Sequence, residues 1–331
     1  MSEQFENGYA LLIGVGESAY SIYSLPVTVK DTEAIYAALT EPELCAYNKE
    51  HIRVLNNKEA TRDNIIKELQ WLQESAKADP EATVFIYYSG HGLLDKTDNR
   101  YYLLQHDIKP RKLEASALSA EVFTEAVRQI DAKRLLVVID SCHAGGMATS
   151  KDPQEIIREA EKLDTELADE FENFKRVSPS KGLVEQLTQG KGRVVLASSS
   201  GEEKSWIYPN GLYSIYTYHF LEALQGAANQ PGDTEVKVSN VMTHLSKAVP
   251  ESARQFYNTE QTPNFDMETE DFAIAQLLGG KGLPGKGWKE VKPEATQKIN
   301  KIADSITQRA EKINNFNEVR DIKDFHIGDV N

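Results

Sequence analysis

The stretches Thr83-Val84-Phe85-Ile86-Tyr87-Tyr88-Ser89-Gly90-His91-Gly92 and Leu135-Leu136-Val137-Val138-Ile139-Asp140-Ser141-Cys142-His143-Ala144-Gly145-Gly146 decide how this chain folds. Each opens with a short apolar run of β-branched, aromatic and aliphatic residues, the composition of a strand buried on both faces. Each run then breaks into glycine around one reactive side chain, an imidazole in the first and a thiol in the second. In an open parallel sheet, ligands and chemistry gather just beyond the carboxyl ends of the strands. With both runs in one sheet, His91 and Cys142 emerge on the same edge.

Outward from these runs, strand and helix signals alternate. Tyr9-Ala10-Leu11-Leu12-Ile13-Gly14-Val15 reads as a buried first strand, and Asp31 to Leu39 carries apolar residues at helical spacing. Ile52-Arg53-Val54-Leu55 is a second strand, and Thr61 caps a helix over Arg62 to Ala78 with the stripe Ile65, Ile66, Leu69, Leu72. Tyr101 to Leu104 reads as part of a small hairpin, and Ser119 caps a helix from Ala120 to Ile130. Arg193 to Ala197 is a fifth strand, Tyr213 to Leu224 and Val238 to Val249 are helices, and Phe272 to Ala275 is the candidate sixth strand. The fold class is α/β: a central, mostly parallel six-stranded sheet flanked by helices, built from right-handed βαβ units. Lys151 to Arg176 is charge-dense with apolar residues at helical spacing, as in a surface helix, and Val177 to Gly182 reads as flexible and exposed. Beyond a glycine-rich hinge over Gly279 to Gly287, Ile299, Ile302, Ile306, Ala310 and Ile313 mark an amphipathic tail helix outside the core, which either packs intramolecularly or binds a partner helix in a groove. The alternation of Val319 to Gly328 reads as one further strand.

Composition limits the function classes. The chain has 331 residues, 40% hydrophobic and 27% charged, the profile of a globular protein. A formal charge of −14 opposes phosphate binding and argues against nucleic-acid partners. No apolar run reaches the length of a membrane span, and the acidic N-terminus lacks the basic and apolar regions of a signal peptide. Two cysteines, Cys45 and Cys142, make no disulfide framework and point to a reducing compartment, the cytoplasm.

A thiol opposite an imidazole is the arrangement for nucleophilic acyl transfer, the imidazole raising the thiolate fraction and later protonating the leaving group. The backbone N–H groups of Gly92 and Cys142 are candidates for the oxyanion hole. His143, beside the thiol, reads as a packing or loop residue, and Cys45 as structural. His51, His106, His219, His244 and His326 are scattered without metal-ligand spacing, so no metal site and no cofactor is expected.

The segments Ser89-Gly90-His91-Gly92 and Asp140-Ser141-Cys142-His143-Ala144-Gly145-Gly146 resemble those of the caspase-like cysteine peptidases (peptidase C14, clan CD), and within them the prokaryotic metacaspases, or orthocaspases. The step of about 50 residues from His91 to Cys142 is also the caspase spacing. The resemblance covers about residues 8 to 276 and includes Ala197-Ser198-Ser199-Ser200, Asn210-Gly211-Leu212-Tyr213 and Gln261-Thr262-Pro263. It implies a caspase-like sandwich: a large-subunit region at 8–150, a connector or activation segment at 151–192, a small-subunit region at 193–278, and a hinge with a regulatory or partner-binding tail at 279–331. It further implies that His91 and Cys142 form the catalytic dyad, and that the S1 pocket takes Arg or Lys. The positions matching that pocket are Asp31 and Asp140, with Ser89 as a polar wall and Thr28 nearby.

Two carboxylates converging on one pocket repel an acidic P1 group and hold a guanidinium by charge-assisted hydrogen bonds. The expected partners are therefore protein substrates with Lys or Arg at P1, together with an activating protease or regulatory protein. Lys151, Lys175, Arg176 and Lys181 are candidate processing sites, since exposed basic loops would suit such a pocket. Calcium-dependent metacaspases carry a dense acidic stretch after the histidine motif. Here Leu93-Leu94-Asp95-Lys96-Thr97-Asp98-Asn99-Arg100 holds too few acids for a six-to-eight oxygen cage, so calcium activation is not expected. A catalytically idle module that recruits partners through its tail is the rival reading. A flavodoxin-like nucleotide site is disfavoured because no glycine-rich phosphate loop follows the first strand.

Overall fold

The computed structural model describes residues 4–20, 23–109, 112–141, 143–144, 154, 157–158, 161–162, 165–166, 173–267, 269–277 and 287–324. The central strands are β1 (Gly8–Gly14), β2 (Ile52–Asn56) and β3 (Thr83–Gly90). A hairpin follows, β4 (Gly92–Asp95) with β5 (Tyr101–Leu103), then the short β6 (Leu118–Ser119) and the central β7 (Arg134–Ser141). The remaining strands are β8 (His143–Ala144), β9 (Phe174–Arg176), β10 (Arg193–Ala197), β11 (Ser205–Trp206), β12 (Glu235–Lys237), β13 (Asn264–Met267) and β14 (Ala273–Gln276). The helices are α1 (Val27–Thr40), α2 (Arg62–Ala78), α3 (Leu113–Ser116), α4 (Ala120–Arg128), α5 (Lys181–Thr188), α6 (Ile215–Leu224), α7 (Val238–Tyr257) and α8 (Trp288–Asp324).

The main sheet has six strands in the order β13-β10-β7-β3-β1-β2, all parallel except β13, which runs antiparallel to β10. Successive side chains of a strand face opposite ways, and here both ways lead into core. Leu11, Ile13, Val84, Ile86, Leu135, Val137 and Ile139 pack on the side of α2, α4 and α5. Their neighbours Ala10, Leu12, Phe85, Tyr87, Leu136 and Val138 pack on the side of α1, α6, α7 and α8. This is the mostly parallel, helix-flanked α/β sandwich expected from the sequence. Thr61 and Ser119 cap α2 and α4 as their hydroxyls predict, accepting from the N–H groups of Asn64 and Val122.

Five expectations need correction. The sixth strand is Asn264–Met267, not Phe272 to Ala275. Its half-buried side chains alternate polar Asn264 and Asp266 with core-packed Phe265 and Met267, as fits an edge strand, whereas Ile274 and Ala275 are apolar because β14 pairs with β12 and packs into the helical side of the core. The second helix of the small-subunit region does not stop before Pro250 but continues to Tyr257. A proline forfeits one backbone hydrogen bond, and burial of Ala253 and Tyr257 outweighs that loss. The stretch after Lys175 is not uniformly exposed: Arg176, Val177, Ser178 and Pro179 are buried, and only from Ser180 does the chain surface. Finally, the tail helix is part of the core. Val291, Ala295, Ile299, Ala303 and Ile306 recur every three or four residues and are all buried, packed with α1 and α6. Val319 to Asp324 continues α8 rather than forming a strand. The hinge residues 278–286, most of 151–172 and the end from 325 lie outside the described residues.

Candidate active site

The register of β3 against β7 sets the site. Ser89 stands opposite Asp140 and Gly90 opposite Ser141, at the carboxyl ends of two adjacent parallel strands. His91 and Cys142 are the next residue after each member of the last pair. His91 is 1% exposed, with the Tyr23 ring edge-on at 6.3 Å between centroids. Its carbonyl accepts from Leu104 N at 3.0 Å and from Tyr88 Oη at 2.9 Å, which fixes the backbone that carries the imidazole. Cys142 itself lies outside the described residues. On one side of it Ser141 ends β7, and on the other β8 pairs in parallel with β11, His143 opposite Ser205 and Ala144 opposite Trp206.

Gly92 is required by crowding. A Cβ there would fall 1.8 Å from Tyr101 Oη and 2.8 Å from the Val177 carbonyl. The same Tyr101 hydroxyl bonds Ser141 Oγ at 2.9 Å and donates to Val177 O at 3.2 Å. The histidine strand-end and the strand-end before the cysteine thus share one tyrosine. Gly14, at the end of β1, has a similar role toward α1: a Cβ would meet the Thr28 carbonyl at 2.9 Å.

That close approach brings α1 over the sheet edge. Asp31, Thr28, Ser89 and Asp140 are all fully buried. Ser89 Oγ donates to Asp31 Oδ2 at 3.1 Å, so the wall residue and one acid meet directly. Thr28 spends its hydroxyl on the Leu25 carbonyl at 3.0 Å, a turn contact. The residue that joins the two acids was not found from sequence. Ser214, the N-cap of α6, donates its N–H to Asp31 Oδ1 at 3.0 Å and its hydroxyl to Asp140 Oδ2 at 2.5 Å. Ser205 Oγ donates to Asp140 Oδ1 at 2.8 Å, and Thr217 Oγ1 lies 3.4 Å from Oδ2. Burial pushes the Tyr87 hydroxyl's pKa well up, and the charges of Asp31 and Asp140 push it further. Two carboxylates with fixed hydroxyl and amide donors can hold a cationic planar group in a defined orientation.

Beside β11, an open cleft of about 720 Å³ is lined by Trp206, Glu202, Glu203, Lys204, Arg254 and Glu260. Of the candidate processing residues, Lys175 is exposed and paired with Glu202, Arg176 is buried in β9 opposite Leu93, and Lys181 is exposed at the start of α5. Lys151 lies outside the described residues.

Elsewhere the structure overturns the scatter of the histidines. His219 and His244 meet at Glu222, whose Oε2 accepts from His219 Nδ1 at 2.7 Å and from His244 Nε2 at 2.9 Å. Burial pushes the Glu222 carboxyl up, but the two imidazoles outweigh it and hold the group below the usual carboxylate range. Cys45 is fully buried, and desolvation pushes its thiol pKa far up, which leaves it inert. No described helix is long and apolar enough to cross a membrane.

The caspase domain model matches residues 7–272 of this chain. Metacaspase-1A of Neurospora crassa is 28% identical over 153 residues, a stretch covering 42% of this chain and 32% of that protein. The chain therefore spans about a third of the length of that relative. The crystal structure of a Geobacter sulfurreducens protein aligns with a TM-score of 0.48 at 18% identity, covering 84% of this chain and 99% of that one.

Proposed function

The chain belongs to the caspase domain family of peptidases, and from that premise we propose that it is a cysteine endopeptidase making limited cuts after Arg or Lys. Cys142 is the nucleophile. Its thiolate attacks the scissile carbonyl carbon, and the N–H groups of Gly92 and Cys142 stabilise the oxyanion. His91 takes the thiol proton and delivers it to the departing amine; water then hydrolyses the thioester, with His91 as base. Asp31 and Asp140 bind the P1 guanidinium or ammonium, with Ser89, Ser205 and Ser214 holding the two carboxylates in place. The dyad chemistry itself calls for no cofactor, and the acids after the histidine motif serve turns rather than a cage: Asp95 accepts from Thr97 N and Oγ1 at 2.8 and 2.6 Å, and Asp98 from Arg100 N at 3.0 Å.

The observation that carries this reading is the pairing of Ser89 with Asp140 and Gly90 with Ser141. Neighbouring strands lie about 4.8 Å apart, so two residues that each follow such a pair start from adjacent backbone positions. The cleft beside Trp206 suits the substrate residues preceding P1. Processing at Lys181 would open the connector, while a cut at Lys175 or Arg176, both in β9, would first require that strand to leave β4.

The test is a fluorogenic peptide panel with Arg, Lys or Asp at P1, run on wild type and Cys142→Ala. Turnover of Arg and Lys peptides that vanishes in the variant supports the proposal. Turnover confined to Asp peptides removes the pocket assignment, and turnover that survives Cys142→Ala removes the dyad. Incubating Cys142→Ala with active enzyme and mapping new termini tests the processing step; an intact connector rejects it.

A further inference from the structure

A second polar centre is buried away from the strand ends, between α6 and α7 and beneath the first turns of α8. His219 and Glu222 sit three residues apart on α6 and so share a face; His244 reaches them from α7. Their side chains are 7%, 1% and 12% exposed. One ligand atom of each lies within 4.8 Å of the others. Behind this set, Ser252 Oγ is 2.7 Å from His219 Nε2, the outer contact that orients a metal-binding imidazole and fixes which nitrogen faces the ion. The second carboxylate oxygen, Glu222 Oε1, is buried and takes no hydrogen bond. The ammonium of Lys292 on α8 stands 3.4 Å from it, on a side chain that is 52% exposed.

We propose that His219, Glu222 and His244 form a site for a first-row divalent transition metal, with Zn²⁺ as the reference ion, and that Lys292 competes with the ion for Glu222. Two imidazole nitrogens and one carboxylate oxygen are a donor set that Zn²⁺ accepts, leaving a fourth position for water. Bonds of about 2.0–2.1 Å in tetrahedral geometry separate ligand atoms by about 3.3 Å. The contacts of 2.7 and 2.9 Å lengthen by about half an ångström as the ion enters, and the two imidazole nitrogens, within 4.8 Å of one another, close on it by side-chain rotation. The protons balance without an added acid or base. His219 binds through Nδ1 and moves its proton to Nε2, where Ser252 Oγ becomes the acceptor; His244 binds through Nε2 and carries its proton on Nδ1. The dipositive ion more than neutralises Glu222, so the attraction that holds Lys292 turns into repulsion. Metal binding and the contact between α8 and Glu222 therefore oppose one another.

This site is independent of the peptidase reading, and its test needs no catalysis. The full chain carrying Cys142→Ala, which removes the thiol as a competing ligand, is titrated with Zn²⁺ by calorimetry and with Co²⁺ by optical absorption. One ion per chain and visible bands of a tetrahedral cobalt centre are expected. His244→Gln and Glu222→Gln each weaken binding by at least about tenfold, and the distant, half-buried control His106→Gln leaves it unchanged. Lys292→Met, an exposed change that does not threaten folding, tightens binding about two- to fivefold. Failure to bind an ion in this background, or binding that survives both His244→Gln and Glu222→Gln, overturns the site. An unchanged affinity in Lys292→Met overturns the competition.

Discussion

Replacing Asp31 by Asn separates charge from shape at the proposed S1 pocket. Asp31 is fully buried, and its two oxygens are held by Ser214 N at 3.0 Å and Ser89 Oγ at 3.1 Å. Asn keeps the acceptor for Ser214 N–H, and its amide can donate to Ser89 Oγ, which reverses that hydrogen bond without losing it. What disappears is one of two negative charges facing the P1 cation. Removing one member of a buried, hydrogen-bonded charge pair costs about 2–5 kcal/mol. At about 1.4 kcal/mol per factor of ten, kcat/KM for a P1-Arg peptide should fall at least about 30-fold. A peptide with citrulline at P1, neutral but of the same shape, should change by less than about threefold. The scaffold should not suffer. Asp31 and Asp140 repel one another across Ser214, so the melting temperature should hold or rise, as when a functional site gives up strain. An equal loss on Arg and citrulline peptides would refute the argument, because the effect would then be structural. So would an Arg loss below about threefold.

Four further outcomes follow from the same structure. A thiol reagent should modify native protein at Cys142 alone and leave native Cys142→Ala unlabelled, since the buried Cys45 thiol is held protonated; mass spectrometry reads the sites, and labelling of Cys45 in the native state would contradict its burial. Ile299→Ala should lower stability by about 2–5 kcal/mol in chemical denaturation, the range for truncating a fully buried Ile; a loss below about 0.5 kcal/mol would mean that α8 is not part of the core. Gly92→Ala should abolish peptide turnover and cost about 1–3 kcal/mol of stability, because its Cβ would overlap the Tyr101 hydroxyl; an active variant would exclude the shared-tyrosine arrangement. Added calcium should change kcat/KM by less than about twofold, given the turn roles of Asp95 and Asp98; strong activation would reveal a cage elsewhere.

The parts of the fold legible in the sequence are those in which burial alone chooses the residues. The runs ending at Gly14, Gly90 and Ser141 are apolar because both faces are covered, and their strand character shows without any neighbour. The edge strand Asn264–Met267 was illegible for the opposite reason: four residues long, half-buried and with only two apolar side chains, it takes its conformation from β10. The face of α8 showed in its periodicity, but which surface that face would cover did not, because the helical repeat says nothing of its partner. Asp31 and Asp140 came from resemblance, whereas Ser205 and Ser214 did not surface at all. A serine before a helix announces a cap, and nothing in its identity says that the same hydroxyl also holds a carboxylate. His219 and His244 sit on different helices, so their meeting at Glu222 depends on the packing of α6 against α7 and leaves no local spacing to read.

The Tyr213 hydroxyl reaches the Ile299 carbonyl at 3.4 Å, and the residue after Tyr213 is the serine that touches both acids. The helix α8 is therefore wired, through two consecutive residues, to the walls that would choose the substrate. A displaced α8 would be felt first as blurred selectivity for the residue before the scissile bond, ahead of any failure of the nucleophile.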